Sequence, residues 1–166
     1  MIELIAALAI ISVVIIGALA LYGVAAKSSS AQQMMRDILA IKLLTQKIYA
    51  QSHNYGAVDG TIINNVLITA GGIPSTIKVD TTTNSLFNSF GGIINVRSFN
   101  NGGSFQIGST MIPEDVCISL LASASDWANV NVTPSNAVIT TFPILPDTAD
   151  NACSPGNNVV WFMSRN

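Results

Sequence analysis

The chain has few charged residues and a single histidine. Only 10% of its 166 residues are charged, and the formal net charge is −2, so it lacks the cationic surface with which proteins neutralise nucleic-acid phosphates. Histidine-ligated metal sites usually need two or three histidines, and any Ser-His-Asp or Cys-His site would have to use His53. We therefore expect no nucleic-acid binding, and we predict no enzyme activity, metal site or cofactor. A disordered chain is excluded, because 49% of the residues are hydrophobic.

Charge is absent altogether from residues 4–26. As a helix this run would be roughly 35 Å long, enough to cross a bilayer core of about 30 Å, and Lys27 behind it suits an interfacial anchor. A cleaved signal peptide is the alternative interpretation. Such peptides carry a basic start and a shorter apolar stretch, whereas this run follows an acidic residue. The sequence therefore predicts a retained membrane-spanning helix over residues 1–26.

Residues 27–52 predict an amphipathic continuation of the same helix. Proline is absent before Pro74, so one helix of about 50 residues is expected, with Gly56 as a candidate C-cap. Apolar side chains recur at helical spacing and predict one buried stripe. Its two adjacent methionines are interpreted as core packing. The stripe consists of Ala31, Met34, Met35, Ile38, Ile41, Ile48 and Tyr49.

Three residues of the predicted helix 1–26 can each be interpreted in two ways. Glu3 either lies among lipid headgroups, where it suits the positive end of the helix dipole, or has a functional role inside the membrane. Gly17 and Gly23 each weaken a helix by about 0.8–1 kcal/mol relative to alanine. They indicate either close packing between helices or a stretch that loses helicity when the chain leaves the lipid.

Residues 53–166 predict a globular α+β head with a mainly antiparallel sheet packed against the long helix. The strongest signal is a hairpin, in which residues 93–99 and 104–107 flank an Asn-Asn-Gly-Gly turn. Proline and two acids open a predicted helix at 113–125. Residues 76–79 are expected to be extended, and 85–90 are ambiguous. Further strands are predicted at 130–132, 137–141 and 159–163.

Two other groups in the head receive structural interpretations. Asp147, Asp150 and Asn151 lie close together and could suggest calcium, but they lack the EF-hand pattern, so a solvated turn is favoured. Trp127 and Trp161 are interpreted as packing residues rather than sugar platforms.

Charge and cysteine are unevenly distributed along the chain. Residues 1–50 carry four basic and two acidic residues, whereas residues 51–166 carry three and seven. Opposite net charges of +2 and −4 in the two parts give weak support to self-assembly.

The only cysteines, Cys117 and Cys153, are either free thiols or a disulfide. We favour the disulfide, because both follow an export-type anchor, and the closed loop would contribute about 3–4 kcal/mol.

The first residues, Met-Ile-Glu-Leu-Ile-Ala-Ala-Leu-Ala-Ile-Ile, resemble the start of mature type IV pilins and the related pseudopilins. Glu3 matches the family's glutamate, although it is third here rather than fifth. The resemblance implies that a prepilin peptidase removes a basic leader and that the new N terminus is methylated. It also implies that Glu3 pairs with an N-terminal amine, which would set the axial register at which a new subunit docks.

The head resembles the type IVb subclass, which includes bundle-forming, toxin-coregulated and conjugative thin pili. The matching pieces are residues 88–96, the cysteine-led helix 117–120, the late Cys153 and the terminal strand 159–163. In this family the cysteine pair staples the C-terminal region onto the body, and Cys117 and Cys153 match that pair.

This resemblance implies the major structural subunit of a type IVb pilus. The subunit would wait in the inner membrane and then be polymerised by the pilus assembly machinery, together with minor pilins, into a helical filament outside the cell. Adhesion, aggregation and mating-pair stabilisation during conjugation are the implied roles. A secretion-system pseudopilin is the first alternative, which the late cysteine pair and the head disfavour. A membrane-anchored monomeric binding module is the second.

Overall fold

The computed structural model describes residues 28–165, and its first element is helix α1, residues 28–48. Turns follow at 49–52. His53 adopts a left-handed φ of 47° and donates its N–H to the carbonyl of Tyr49 at 2.9 Å. The chain therefore leaves the helix through His53, and Gly56, the expected cap, lies farther along. No helix within the described part of the chain combines the length and apolar character needed to cross a membrane.

Within residues 28–165, seven strands form one sheet in the order β1-β2-β3-β4-β7-β5-β6, and every neighbouring pair is antiparallel. The predicted α+β class with an N-terminal helix and an antiparallel sheet is confirmed. After α1, the elements are α2 Asn64–Ala70, β1 Lys78–Asp80, β2 Ser85–Phe87, β3 Ile93–Phe99, β4 Ser104–Pro113, α3 Glu114–Ala122, β5 Asn129–Thr133, β6 Ala137–Ile139, α4 Pro146–Ala152 and β7 Asn157–Met163.

The hairpin of β3 and β4 forms at the predicted turn. Asn100, Asn101 and Gly102 all have positive φ, which asparagine and glycine adopt most readily. Strand β4 extends to Pro113, six residues beyond the prediction, and contains an irregularity between Ser109 and Ile112. The alternation of hydrophobic and polar residues is lost near that irregularity, and the strand predicted from the alternation is therefore shorter than the observed strand.

One face of the sheet carries the core. Alternate side chains of the central strands point to this face, where α1, α3 and α4 also bury apolar residues. Side chains on the opposite face of β3, β5 and β7 are half-buried or exposed. The inward set includes Ile94, Val96, Phe105, Ile107, Val130, Val132, Val160 and Phe162.

The C-terminal region is held by a disulfide and a short helix. Cys117 on α3 and Cys153, directly after α4, form a disulfide with a Cα–Cα distance of 6.0 Å, which confirms the expected bond. Helix α4 corrects the interpretation of Asp147, Asp150 and Asn151 as a solvated turn. Asn151 instead donates its side-chain amide to the carbonyl of Asp147, one helical turn earlier.

Candidate assembly surface

The inner stripe of α1 packs on the head as the spacing predicts. Ala31, Met34, Met35, Ile38 and Ile41 are buried, and Ile48 and Tyr49 are half-buried against the same core. Burying each of the larger side chains contributes roughly 1.5–3 kcal/mol. The head therefore holds α1 along its whole described length.

A buried lysine fixes the middle of α1 to the head. Lys42 is only 6% exposed, and its Nζ donates to the backbone carbonyl of Asp126 at 2.7 Å and to its Oδ2 at 3.0 Å. The same ammonium lies 4.5 Å from the ring centroid of Trp127. A buried ammonium is costly unless it is paired and hydrogen-bonded, and this site supplies both kinds of partner.

The residues that receive Lys42 belong to the loop between α3 and β5. Asp126 is exposed and adopts a left-handed φ of 57°, which turns its carbonyl and its carboxylate toward the same ammonium. The hydrogen bond from Lys42, followed by its charge, lowers the pKa of the Asp126 carboxyl. Trp127 is fully buried and packs against Phe162 of β7. The loop thus links α1 to the centre of the sheet.

A second attachment lies five positions before Lys42 on α1. The carboxylate of Asp37 accepts hydrogen bonds from Gln33 at 2.8 Å and from the hydroxyl of Thr76, before β1, at 2.7 Å. Arg36 donates to the side-chain oxygen of Gln33 at 2.9 Å. The two attachments join α1 to the segment before β1 and to the loop before β5, so the helix and the head form one unit.

The opposite side of α1 carries an exposed apolar pair. Leu39 and Leu43 are one helical turn apart and are 38% and 66% exposed. Arg36 and Lys47, also exposed, flank them at the same helical spacing. We call Arg36, Leu39, Leu43 and Lys47 the outer stripe of α1. Because the inner stripe already packs on the head, the outer stripe is available to another helix.

A second exposed apolar pair lies near the disulfide. Val138 on the edge strand β6 and Leu145 at the start of α4 are 64% and 65% exposed. They border a groove of about 270 Å³ that also includes Thr148 and Pro143. This region is therefore a further candidate for contact between subunits.

The structure brings together one of the predicted groups of site residues. Cys117 and Cys153 are bonded, whereas Glu3, Gly17, Gly23 and the apolar run 4–26 lie outside the described residues. Among residues 28–165, no three or more His, Cys, Asp and Glu side chains cluster as metal ligands would.

Sequence analysis missed the part played by Lys42. A lysine one turn after Ile38, on the inner stripe, is a usable signal, because an inward ammonium needs a partner. Its partner is 84 positions away, so the sequence could reveal the need but not the identity of that partner.

Comparison with known families defines the class of protein. A family model described as "PilS N terminal" matches residues 28–165, and the chain belongs to this family. The match covers α1, the whole sheet and the disulfide. Together with the relatives described next, it confirms the resemblance to type IVb pilins.

Two relatives carry a functional description. Each is described as "Major structural subunit of bundle-forming pilus", one from Escherichia coli O111:H- and the other from Escherichia coli O127:H6. The chain is 28% identical to each over an alignment of 176 residues, which covers 94% of this chain and 88% of the relative. The similarity therefore extends over nearly the full length of both proteins.

Proposed function

We propose that this chain is the major structural subunit of a type IVb pilus and polymerises into a helical surface filament. Family membership and the near full-length similarity to bundle-forming pilus subunits support this proposal. Such a subunit acts through repeated contacts with copies of itself, and contacts that do not close into a ring generate a helical polymer.

The observation that carries the proposal is the outer stripe of α1. Leu39 and Leu43 are exposed on a helix whose other side is already packed, and this helix follows the apolar run 4–26 in the sequence. In a filament, neighbouring helices would cover both leucines and continue the apolar contact begun by residues 4–26. Arg36 and Lys47 would then face the acidic heads of adjacent subunits, which carry a net charge of −4.

Earlier stages of assembly belong to the same proposal. The run 4–26 would hold the subunit in the inner membrane until the assembly machinery extracts it, after a prepilin peptidase has removed the leader. Glu3 would pair with the N-terminal amine of a neighbour and set the axial register. Gly17 and Gly23 would allow the helix between them to loosen in the filament, where other helices cover the freed backbone.

The polymer would act outside the cell in cell–cell or cell–surface contact. Adhesion, aggregation and mating-pair stabilisation all require a long, stable fibre rather than a catalytic site. The disulfide and the two attachments of α1 would supply stability to each subunit outside the cell.

Electron microscopy of sheared surface material tests the proposal. Cells expressing the wild-type chain should yield abundant long fibres, and Leu43→Asn should reduce their number at least about fivefold, because one desolvated leucine side chain is worth roughly 1.5–3 kcal/mol at each contact. Val58→Asn is the matched control, since Val58 has nearly the same exposure, 68%, but lies in the loop between α1 and α2. It should retain most of the fibres.

Two results would contradict the proposal. Absence of fibres from wild-type cells with normal subunit levels would favour the monomeric binding module. Normal fibres from Leu43→Asn cells would show that the outer stripe does not form the contact. Immunoblots of membrane fractions distinguish an assembly defect from a loss of subunit.

A further inference from the structure

The sheet carries almost no charge, although the head is acidic. Residues 51–166 contain seven aspartates and glutamates, but among the described strands only the edge strand β1 has one, Asp80. The remaining strands contain a single charged residue, Arg97 of β3. A lone cation on an amide-rich face is the feature that calls for an explanation.

The guanidinium group of Arg97 is held by one contact to its planar face and by one hydrogen bond from its Nε edge. Its Cζ lies 3.7 Å from the ring centroid of Trp161 on β7, and its Nε donates to Oε1 of Gln106 at 2.9 Å. Gln106 is 3% exposed, so this partner is itself fixed. The other side of the Trp161 ring packs against Gly108, where an added Cβ would collide with the ring. The layers Gly108, Trp161 and Arg97 therefore orient the guanidinium.

The two terminal nitrogens of the Arg97 guanidinium, its outer fork, make no side-chain hydrogen bond within the described residues. No other side-chain hydrogen bond and no ion pair of Arg97 occurs within residues 28–165. Burial lowers the pKa of this guanidinium from its ordinary value, because water is partly removed without an acidic partner replacing it. Two parallel N–H groups held in this way are suited to bind a planar carboxylate at two points.

A polar groove opens beside the guanidinium. It has a volume of about 350 Å³ and is bordered by Arg97, Trp161, Asn131, Thr133, Asn136 and Val138. Oδ1 of Asn131 is shielded from water and has no hydrogen-bond partner among the described residues. The groove thus combines a fixed cation with amides, a hydroxyl and a few aliphatic residues, which matches the carboxylate, hydroxyls and ring C–H groups of an acidic sugar.

We propose that this groove binds a carboxylate-bearing sugar unit of a glycan, with Arg97 contacting the carboxylate and Asn131, Thr133 and Asn136 contacting hydroxyls. One cation suits a singly charged carboxylate better than a doubly charged phosphate. Both faces of the Trp161 ring are occupied, so Trp161 supports Arg97 and does not stack on the sugar. This inference goes beyond the proposed filament and does not depend on polymerisation, since the groove lies within one subunit.

Titration of full-length subunits in detergent tests the site. Trp161 lies beneath the guanidinium whereas Trp127 is buried in the core, so tryptophan fluorescence reports occupancy. D-glucuronate should give a saturable change, and D-glucose should bind at least about tenfold more weakly. Arg97→Gln should lose at least about tenfold in affinity for glucuronate. Lys78→Gln is the matched control, because it removes an exposed cation from the edge strand β1.

Purified filaments provide a second measurement, in which many weak sites add up. Wild-type filaments should be retained on immobilised hyaluronan, which contains glucuronate, and should be lost from the same polymer after its carboxylates are reduced to alcohols. Arg97→Lys keeps the charge but lacks the fork. It should be retained at least about threefold less than wild type, and circular dichroism verifies that it is folded.

Three outcomes would overturn the inference. Equal affinity for glucuronate and glucose would exclude carboxylate recognition. Absence of saturable binding by wild-type subunits and filaments would exclude the sugar site. Unchanged glucuronate binding by Arg97→Gln, together with loss of filaments, would instead assign Arg97 to a carboxylate of a second copy of the chain.

Discussion

The disulfide between Cys117 and Cys153 offers the sharpest test of what stabilises the head. The bond closes a loop of 36 positions, for which loss of chain entropy in the unfolded state corresponds to about 3–4 kcal/mol. In a domain of this size, 1 kcal/mol shifts the melting temperature by about 2–4 °C. Breaking the bond should therefore lower the melting temperature by roughly 6–16 °C.

Two ways of breaking the bond distinguish chain entropy from packing. Reduction with dithiothreitol keeps both sulfur atoms in place, whereas the double substitution Cys117→Ala with Cys153→Ala removes them from positions that are 0% and 5% exposed. The reduced wild type should show the entropic part alone. The double variant should melt lower still, because it also leaves a small cavity.

Thermal unfolding of full-length subunits in detergent, followed by circular dichroism, is the appropriate assay. The double variant, which cannot be reduced, should be insensitive to dithiothreitol and so serves as the control. A reduced wild type that melts within about 3 °C of the oxidised protein would refute the reasoning. In that case the loop would be closed by noncovalent contacts that persist without the bond.

Two further predictions concern α1 and the face of the sheet. Lys42→Met removes both hydrogen bonds to Asp126 and should lower the melting temperature by several degrees, measured by circular dichroism. The pKa of the Asp126 carboxyl is lowered in the folded state, so its contribution to stability is present above its ordinary pKa and is lost as the pH falls through the lowered value. Asp126→Asn should therefore melt below wild type at pH 7, and the difference should shrink as the pH falls below the ordinary pKa of an aspartate. Gly108→Ala should displace Trp161 and red-shift its fluorescence, whereas an unchanged spectrum would contradict the close approach at Gly108.

The sequence predicted those elements whose signals are local. Strand β3 has the expected bounds, Ile93–Phe99, because its alternating side chains end at a turn that only asparagine and glycine form readily. The inner stripe of α1 was likewise visible, since helical spacing places its members on one face. The cysteine pair was predictable because only one intramolecular pairing exists.

Elements and contacts that depend on distant residues could not be predicted. Helix α4, Pro146–Ala152, buries only Ala149 and Ala152 and is too short to show a hydrophobic period; the neighbouring disulfide and α3 hold it. The pairing of Arg97 with Trp161 joins residues 64 positions apart through the order of the strands. Neither local composition nor spacing contains that information.

Strand β7 is the last strand of the sheet to be synthesised, although it lies inside the sheet. Although β7, Asn157–Met163, ends the sheet in sequence, it lies between β4 and β5 and joins the two halves of the sheet. A chain made from N to C terminus therefore holds β3 and β4 with an open edge, and β5 and β6 without a neighbour, until β7 has been made. A chain interrupted before Asn157 would expose the unpaired edges of β4 and β5, which are templates for pairing with another chain. Only a finished subunit could present a closed head to a growing polymer.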